Sequence, residues 1–199
     1  MHVRRLSMLI AGLWLGLTLA MLFVATENFR GVDRLLEAPA KEAGALLGKL
    51  PAESPRQLLR YLASELNRYF FDWYGIAQIW LAVILLLNLL FATNGNKLVM
   101  ALAGVLLALV VVERTILFPE ITYLGRLMDF TPLDLDSPVR SRFWSFHRYF
   151  SGLEVLKIIL LLAVSGKMLI RRELRRRAKG AAGLEVGGRE ARGDGSPQD

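Results

Sequence analysis

The chain of 199 residues contains no cysteine. That removes disulfides, thiolate metal sites and cysteine nucleophiles together, so packing and polar contacts must hold its loops. Histidine is nearly as scarce, with only His2 and His147. The topology argued below puts these two on opposite sides of a bilayer, which excludes a bis-histidine haem within one chain. There is no HExxH, no Walker A loop and no GxGxxG. No nucleophile, base and orienting group can be assembled from the candidates. The expectation is therefore a protein that is not an enzyme, with no cofactor and no metal. Charge is missing from long stretches as well: 6–26 (LSMLIAGLWLGLTLAMLFVAT) and 73–93 (WYGIAQIWLAVILLLNLLFAT) carry none.

Of the residues present, 54% are hydrophobic, against about 45–50% in an ordinary soluble domain, and they are gathered into blocks. A membrane span needs roughly 20 mostly apolar residues. The two uncharged blocks meet that directly. A third, 98–117, and a fourth, 149–170, meet it if Glu113, Arg114, Glu154, Lys157 and Lys167 lie within or beside the bilayer. The first block follows Arg4 and Arg5 as a signal peptide would. Its apolar run exceeds the roughly 7–15 residues of an h-region, so a retained helix is the expectation. The predicted fold is an all-α integral membrane protein, a four-transmembrane-helix bundle over residues 1–177, followed by a tail over 178–199.

Four spans put both termini on one side. With both termini inside, that side holds 12 basic and 5 acidic residues, and the remainder of the chain holds 13 of each. The whole net charge of +7 thus falls on one face. By the positive-inside rule that face is cytoplasmic, which predicts a multi-pass protein of the bacterial inner membrane. Arg4, Arg5, Arg171, Arg172, Arg175, Arg176 and Arg177 serve as the topology anchors and meet the anionic inner leaflet. Lipid, not nucleic acid, is the partner this charge predicts, with a second copy or another membrane protein as the protein partner.

The external loops span 27–72 and 118–148. In the first, Ser54-Pro55 reads as an N-cap followed by proline at the first helical position. Leu58, Leu59, Leu62, Leu66, Tyr69 and Phe70 then recur at helical spacing. This predicts an amphipathic helix on the outer leaflet feeding into the second span. The Gly-rich, charged composition after Ala178 predicts disorder. Gly12 and Gly16 in GLWLG have the small-xxx-small spacing that permits close helix approach. Asn88 is read as an interhelical hydrogen bonder.

The fourth span poses the sharpest question. FHRYFSGLEVLK opens an otherwise apolar helix with His147, Ser151, Glu154 and Lys157. At about 1.5 Å of rise per residue, Glu154 and Lys157 stand about 25 and 21 Å above Arg171. Glu113 and Arg114 stand about 24 and 25 Å above Lys97, and Gln78 about 24 Å above Asn94. Three helices thus put polar residues at one depth. In lipid such residues turn inward and pair. The expected cluster is Glu113, Arg114, His147, Ser151, Glu154, Lys157 and Gln78, with Arg114 paired to Glu154 and Glu113 to Lys157.

LWLG and FVATENFR on the first span, RYFFDWYG entering the second, VERTILFPEIT ending the third and FHRYFSGLEVLK on the fourth together carry a resemblance. The chain resembles the bacterial membrane proteins of domain-of-unknown-function family 4149, related to the transmembrane-protein-205-like group. The resemblance implies a four-helix integral membrane protein. Eukaryotic relatives are associated with tolerance of platinum drugs, which implies a link to efflux or trafficking. Two roles follow from the sequence. One is a non-enzymatic structural or partner-binding bundle. The other is a small transporter or channel-like protein with an outward-facing polar pocket for an ion or cationic solute.

Glu53 and Asp134 are expected outside and the C-terminal tail inside. Cysteine introduced at Glu53 should react with a membrane-impermeant maleimide in intact cells, and cysteine at Ser196 should react only after lysis. The reverse pattern would overturn the orientation.

Overall fold

The computed structural model describes residues 2–52, 54–91, 97–131 and 137–190, with side chains described between 5 and 170. Glu53, Asp134 and the side chains of Arg4 and of the arginines from 171 onward lie outside the described residues. Among those described, all regular structure is helical: α1 (His2–Glu37), α2 (Lys41–Leu47), α3 (Ser54–Leu90), α4 (Lys97–Val112), a π-helical turn (Glu113–Leu117), α5 (Phe118–Met128) and α6 (Pro138–Glu190). Because α4, the π turn and α5 are continuous, the described residues form a bundle of five helices.

Three of the helices, Arg5–Glu37, Ser54–Leu90 and Lys97–Met128, are long and apolar enough to cross a membrane. Their lengths of 33, 37 and 32 residues correspond to about 50, 55 and 48 Å, well beyond the roughly 30 Å of hydrocarbon. The helices do not stop where the apolar blocks stop. Residues 27–37 continue α1, 54–72 are the front of α3, and 118–128 continue α4 through the π turn, so much of both predicted loops is helix. Charge ends an apolar block but does not end a helix. Pro39 does end one: α1 closes just before it, because its ring disfavours helical geometry in the preceding residue. Pro55 and Pro138 stand in the first turns of α3 and α6, where the missing N–H costs nothing.

The front of α3 continues the axis of the span without a break. Its predicted apolar stripe is exposed, with Leu58 at 54% and Leu62 at 53%. The opposite face packs on α1. There Asn67 donates to the carbonyl of Ala25 at 3.1 Å and accepts from Asn28 at 2.5 Å. The helical backbone of α6 also runs to Glu190, past the point where composition predicts disorder. No proline interrupts the chain between Pro138 and Pro197, and extending an existing helix avoids the cost of nucleating one.

α1 packs along α3, α3 on α4, α5 on α6, and α6 also on α1 and α4. The bundle has two unlike ends. At one end, Ile10, Ala11, Trp14, Ala82, Leu85, Leu89, Val99, Ala103, Leu106, Val110, Leu161, Val164 and Met168 form the apolar core. Near its outer limit Asn88 donates to Ser7 Oγ at 2.7 Å, the interhelical bond predicted for Asn88. The other end is laced with ion pairs. Glu27 binds Arg34 at 2.8 Å, Glu120 binds Arg142 at 2.6 Å, and Arg126 reaches Glu65 at 3.4 Å. Arg68 grips Asp129 through two bonds of 2.8 and 2.9 Å, with only 13% and 7% of the two side chains exposed.

The buried face of α1 is Ser7, Ala11, Trp14, Thr18 and Met21, at alternating spacings of four and three. Gly12 and Gly16 lie off it, with nothing within 4 Å of a Cβ added at either. The small residues buried in the helix seams are instead alanines 11, 82 and 103, which are at most 1% exposed.

Ala82→Leu should overfill this seam and lower stability by about 1–3 kcal/mol. Gly12→Ala and Gly16→Ala should leave it unchanged or raise it by up to about 1 kcal/mol, through helix propensity. Thermal unfolding in detergent would separate the two classes.

Candidate functional site

Where the apolar core meets the charged end, six polar side chains from four segments converge. α6 provides Lys157 and Glu154, the π turn Glu113, α3 Gln78 and Tyr74, and α1 Trp14, with Thr18 behind Tyr74. The Lys157 ammonium is fully buried. It has three N–H donors and three acceptors. It donates to Gln78 Oε1 at 2.5 Å, to Glu154 Oε1 at 2.9 Å, and to Glu113 Oε2 in a short ion pair. Its charge also lies 5.8 Å from the centre of the Tyr74 ring.

The neutral groups finish the network. Trp14 Nε1 donates to Gln78 Oε1 at 3.1 Å, and Gln78 Nε2 donates to Glu154 Oε1 at 3.4 Å. The Gln78 amide is therefore oriented with its oxygen towards two donors and its nitrogen towards a carboxylate. The Tyr74 hydroxyl donates to Glu154 Oε2 at 2.8 Å and stands 2.9 Å from the Thr18 hydroxyl. Glu113 Oε1, by contrast, is buried and has no hydrogen-bond partner.

Glu113 reaches the cluster on the buried stripe of α4 and opens a π turn. Pro119 has no N–H, and its ring would clash with the carbonyl four residues back in a regular helix. The turn before it widens, and the Phe118 N–H reaches the carbonyl of Glu113, five residues earlier. Val110, Glu113 and Leu117 all face inward, continuing the alternating spacings of three and four set by Val99, Ala103 and Leu106 on α4.

Of the seven residues predicted to cluster, four meet: Gln78, Glu113, Glu154 and Lys157. The predicted pairing of Glu113 with Lys157 is present. The predicted pairing of Arg114 with Glu154 is not. Consecutive helical residues point about 100° apart, so with Glu113 turned to α6, Arg114 turns to α3. It crosses Gly75 and pairs with Asp72 at 2.6 Å, its guanidinium 5.4 Å from the centre of the Phe118 ring. A Cβ at Gly75 would lie 2.9 Å from Arg114 Cδ, so the glycine is what lets the arginine pass.

His147 and Ser151 also stay outside the cluster. Relative to Lys157 they are rotated by about 80° and 120° around α6, whereas Glu154 is rotated by only about 60°. Ser151 Oγ donates to the carbonyl of His147 at 2.9 Å. The His147 ring stacks on Phe143, with centres 5.8 Å apart, and meets Trp144 edge-on. Desolvation holds its pKa below the ordinary histidine value, although much of the residue remains exposed.

Sequence reasoning did not select Trp14, Thr18 and Tyr74. A trace of one face was present: of the four polar-tipped residues in the apolar stretch 6–26, Ser7, Trp14 and Thr18 share one helical face, and Thr26 lies off it.

Beside the cluster is a cavity of about 10 Å³ lined by Tyr74, Gly75, Gln78, Glu113, Arg114 and Phe118, among others. That is the scale of one water molecule. Arg114 and Phe118 also border a larger surface groove of about 350 Å³, which Pro119, Thr122, Tyr123 and Arg126 complete. Among the described residues no group of three or more His, Cys, Asp or Glu side chains is arranged to hold a metal ion.

A double-mutant cycle on Arg114→Met and Asp72→Asn should return a coupling of about 0.2–1 kcal/mol, as for partly exposed pairs. The cycle on Arg114→Met and Glu154→Gln should return none. Gly75→Ala should reproduce much of the Arg114→Met loss; an unaffected Gly75→Ala would show that the arginine has another path. In comparisons with known proteins, no family model, no curated protein and no solved structure matches this chain.

Proposed function

We propose that the chain is a four-span integral membrane protein of the bacterial inner membrane, with 149–170 of α6 as the fourth span and both termini cytoplasmic. It acts without enzymatic chemistry, as a scaffold. The Lys157 cluster locks the helices in register, and the helical, ion-paired layer beyond the membrane meets a partner.

The observation that carries the proposal is the complete burial of Lys157 among acceptors from α3, the π turn and α6. A charge in an apolar bundle is tolerable only when paired and hydrogen-bonded. A side chain held by three segments at once fixes how those segments sit. The adjoining cavity of about 10 Å³ is too small for an organic solute. The transporter reading draws instead on the groove of about 350 Å³ beside Arg114, which could receive a solute at the surface.

Removing one member of a buried pair typically costs about 3–5 kcal/mol, whereas replacing the whole set with apolar residues is often neutral. Lys157→Met should therefore lower thermal stability in detergent steeply. Lys157→Met combined with Glu113→Leu and Glu154→Leu should recover most of the loss. If the triple variant keeps both its stability and any cellular phenotype, the cluster is structural. If stability returns without the phenotype, the charges themselves are needed.

A further inference from the structure

The cluster contains one more carboxylate than it has cations. Lys157 faces both Glu113 and Glu154, and Arg114, which lines the same cavity as Glu113, is committed to Asp72. The two carboxylates are not supported alike. Glu154 accepts from Lys157, from the Tyr74 hydroxyl and from the Gln78 amide. Glu113 accepts from Lys157 through Oε2 alone, and its Oε1 is buried and unpartnered beside a cavity the size of one water. An ionised oxygen without a donor in apolar surroundings is the least favourable place for the surplus negative charge.

We infer that Glu113 is a reversible proton-binding site, loaded at Oε1 through the small cavity. The inference rests on the reading that the bundle encloses this cluster within the membrane. The shape and chemistry of the site select a proton over other cations. The ammonium of Lys157 already holds the position a metal ion would take between the two carboxylates. A sodium-like or calcium-like ion also needs several oxygen ligands around it, for which a cavity of about 10 Å³ leaves no space. A proton needs only the free lone pair.

The cavity and the surface groove share Arg114 and Phe118, so Arg114, paired with Asp72, borders both. Hydronium gives its proton to Glu113 Oε1, an O–H bond forms there, and water remains; the reverse transfer unloads the site. Loading neutralises the surplus charge and leaves Lys157 paired with Glu154 as its one anion. The contact between Lys157 and Glu113 then falls from an ion pair to an ordinary hydrogen bond, at the point where the π turn meets α6. The groups that set the loading are Lys157 and Glu154 from α6, Tyr74 from α3, and Arg114 with its partner Asp72. Gln78 from α3 and Trp14 and Thr18 from α1 are the uncharged neighbours.

The test is an infrared pH titration of the purified full chain in lipid nanodiscs, across about pH 4 to 10. A buried carboxylic acid C=O band should appear on acidification. It should vanish in Glu113→Gln and persist in Asp72→Asn. Lys157→Gln should move its midpoint up by about 1–3 pH units, because the nearby ammonium favours the ionised carboxylate. If Glu113→Gln does not fold, Glu113→Asp should retain the band at a shifted frequency. The inference fails if no band titrates, if the band is unchanged in both Glu113 variants, or if its midpoint follows sodium or potassium concentration. The thermal series on Lys157 reads independently. A steep loss in Lys157→Met without a titrating band would leave the scaffold and remove the proton site, and a titrating band without that loss would do the opposite.

Discussion

A lysine ammonium with no solvent exposure, set at the top of an apolar helix bundle, is the constraint around which this protein is arranged. Leaving such a charge unpaired would remove a large share of a domain's ordinary margin of stability. The chain answers with three acceptors, each from a different helical segment or turn. Gln78 is held by Trp14, Glu154 by Tyr74, and Tyr74 stands against Thr18. Satisfying one charge thus recruits α1, α3, the π turn and α6. Helix packing in lipid lacks the hydrophobic drive available in water, so a directional polar cluster is an effective way to specify which faces meet.

Below that level the helices join through small and aliphatic side chains, and above it through ion pairs. The change is abrupt. Leu106, Leu85 and Val164 are fully buried on one side, and within a few turns on the other side Arg68 holds Asp129 and Arg114 holds Asp72. The exposed surface pairs, such as Glu27 with Arg30 and Arg34, add little individually. The bidentate Arg68–Asp129 pair is more enclosed, and Gly125 gives it space much as Gly75 does for Arg114. These two glycines mark the places where an arginine lies across a neighbouring helix.

The π turn links backbone and chemistry. Pro119 disfavours the regular helix, the turn before it widens from Glu113 onward, and one oxygen of that inward-facing carboxylate is left without a donor. A strictly α-helical 113–117 would have carried the same residues with a different register beyond the turn. Wide turns of this kind occur often at functional sites, and here the turn coincides with the only member of the cluster that is incompletely satisfied among the described residues.

Much of this was legible in the sequence, because hydropathy and helical rise are local quantities. The apolar blocks located the long helices, and counting residues from the block ends put Gln78, Glu113, Glu154 and Lys157 at one depth, where they do meet. Charge balance also identified Lys157 as the partner of Glu113. Azimuth was less accessible. Which way Arg114, His147 and Ser151 point depends on how each helix is rotated against its neighbours, and the π turn resets that rotation in mid-helix. The role of Gly12 and Gly16 was misplaced for the same reason: spacing shows that two glycines share a face but not that the face is buried. Helix ends were misjudged because apolar character stops at the first charges while backbone hydrogen bonding does not. The sequence by itself determined that the chain is helical, where its apolar segments lie and at what height its charges stand. Tertiary structure alone decided which charges meet, because that depends on helix rotation and side-chain reach, neither of which has a local code.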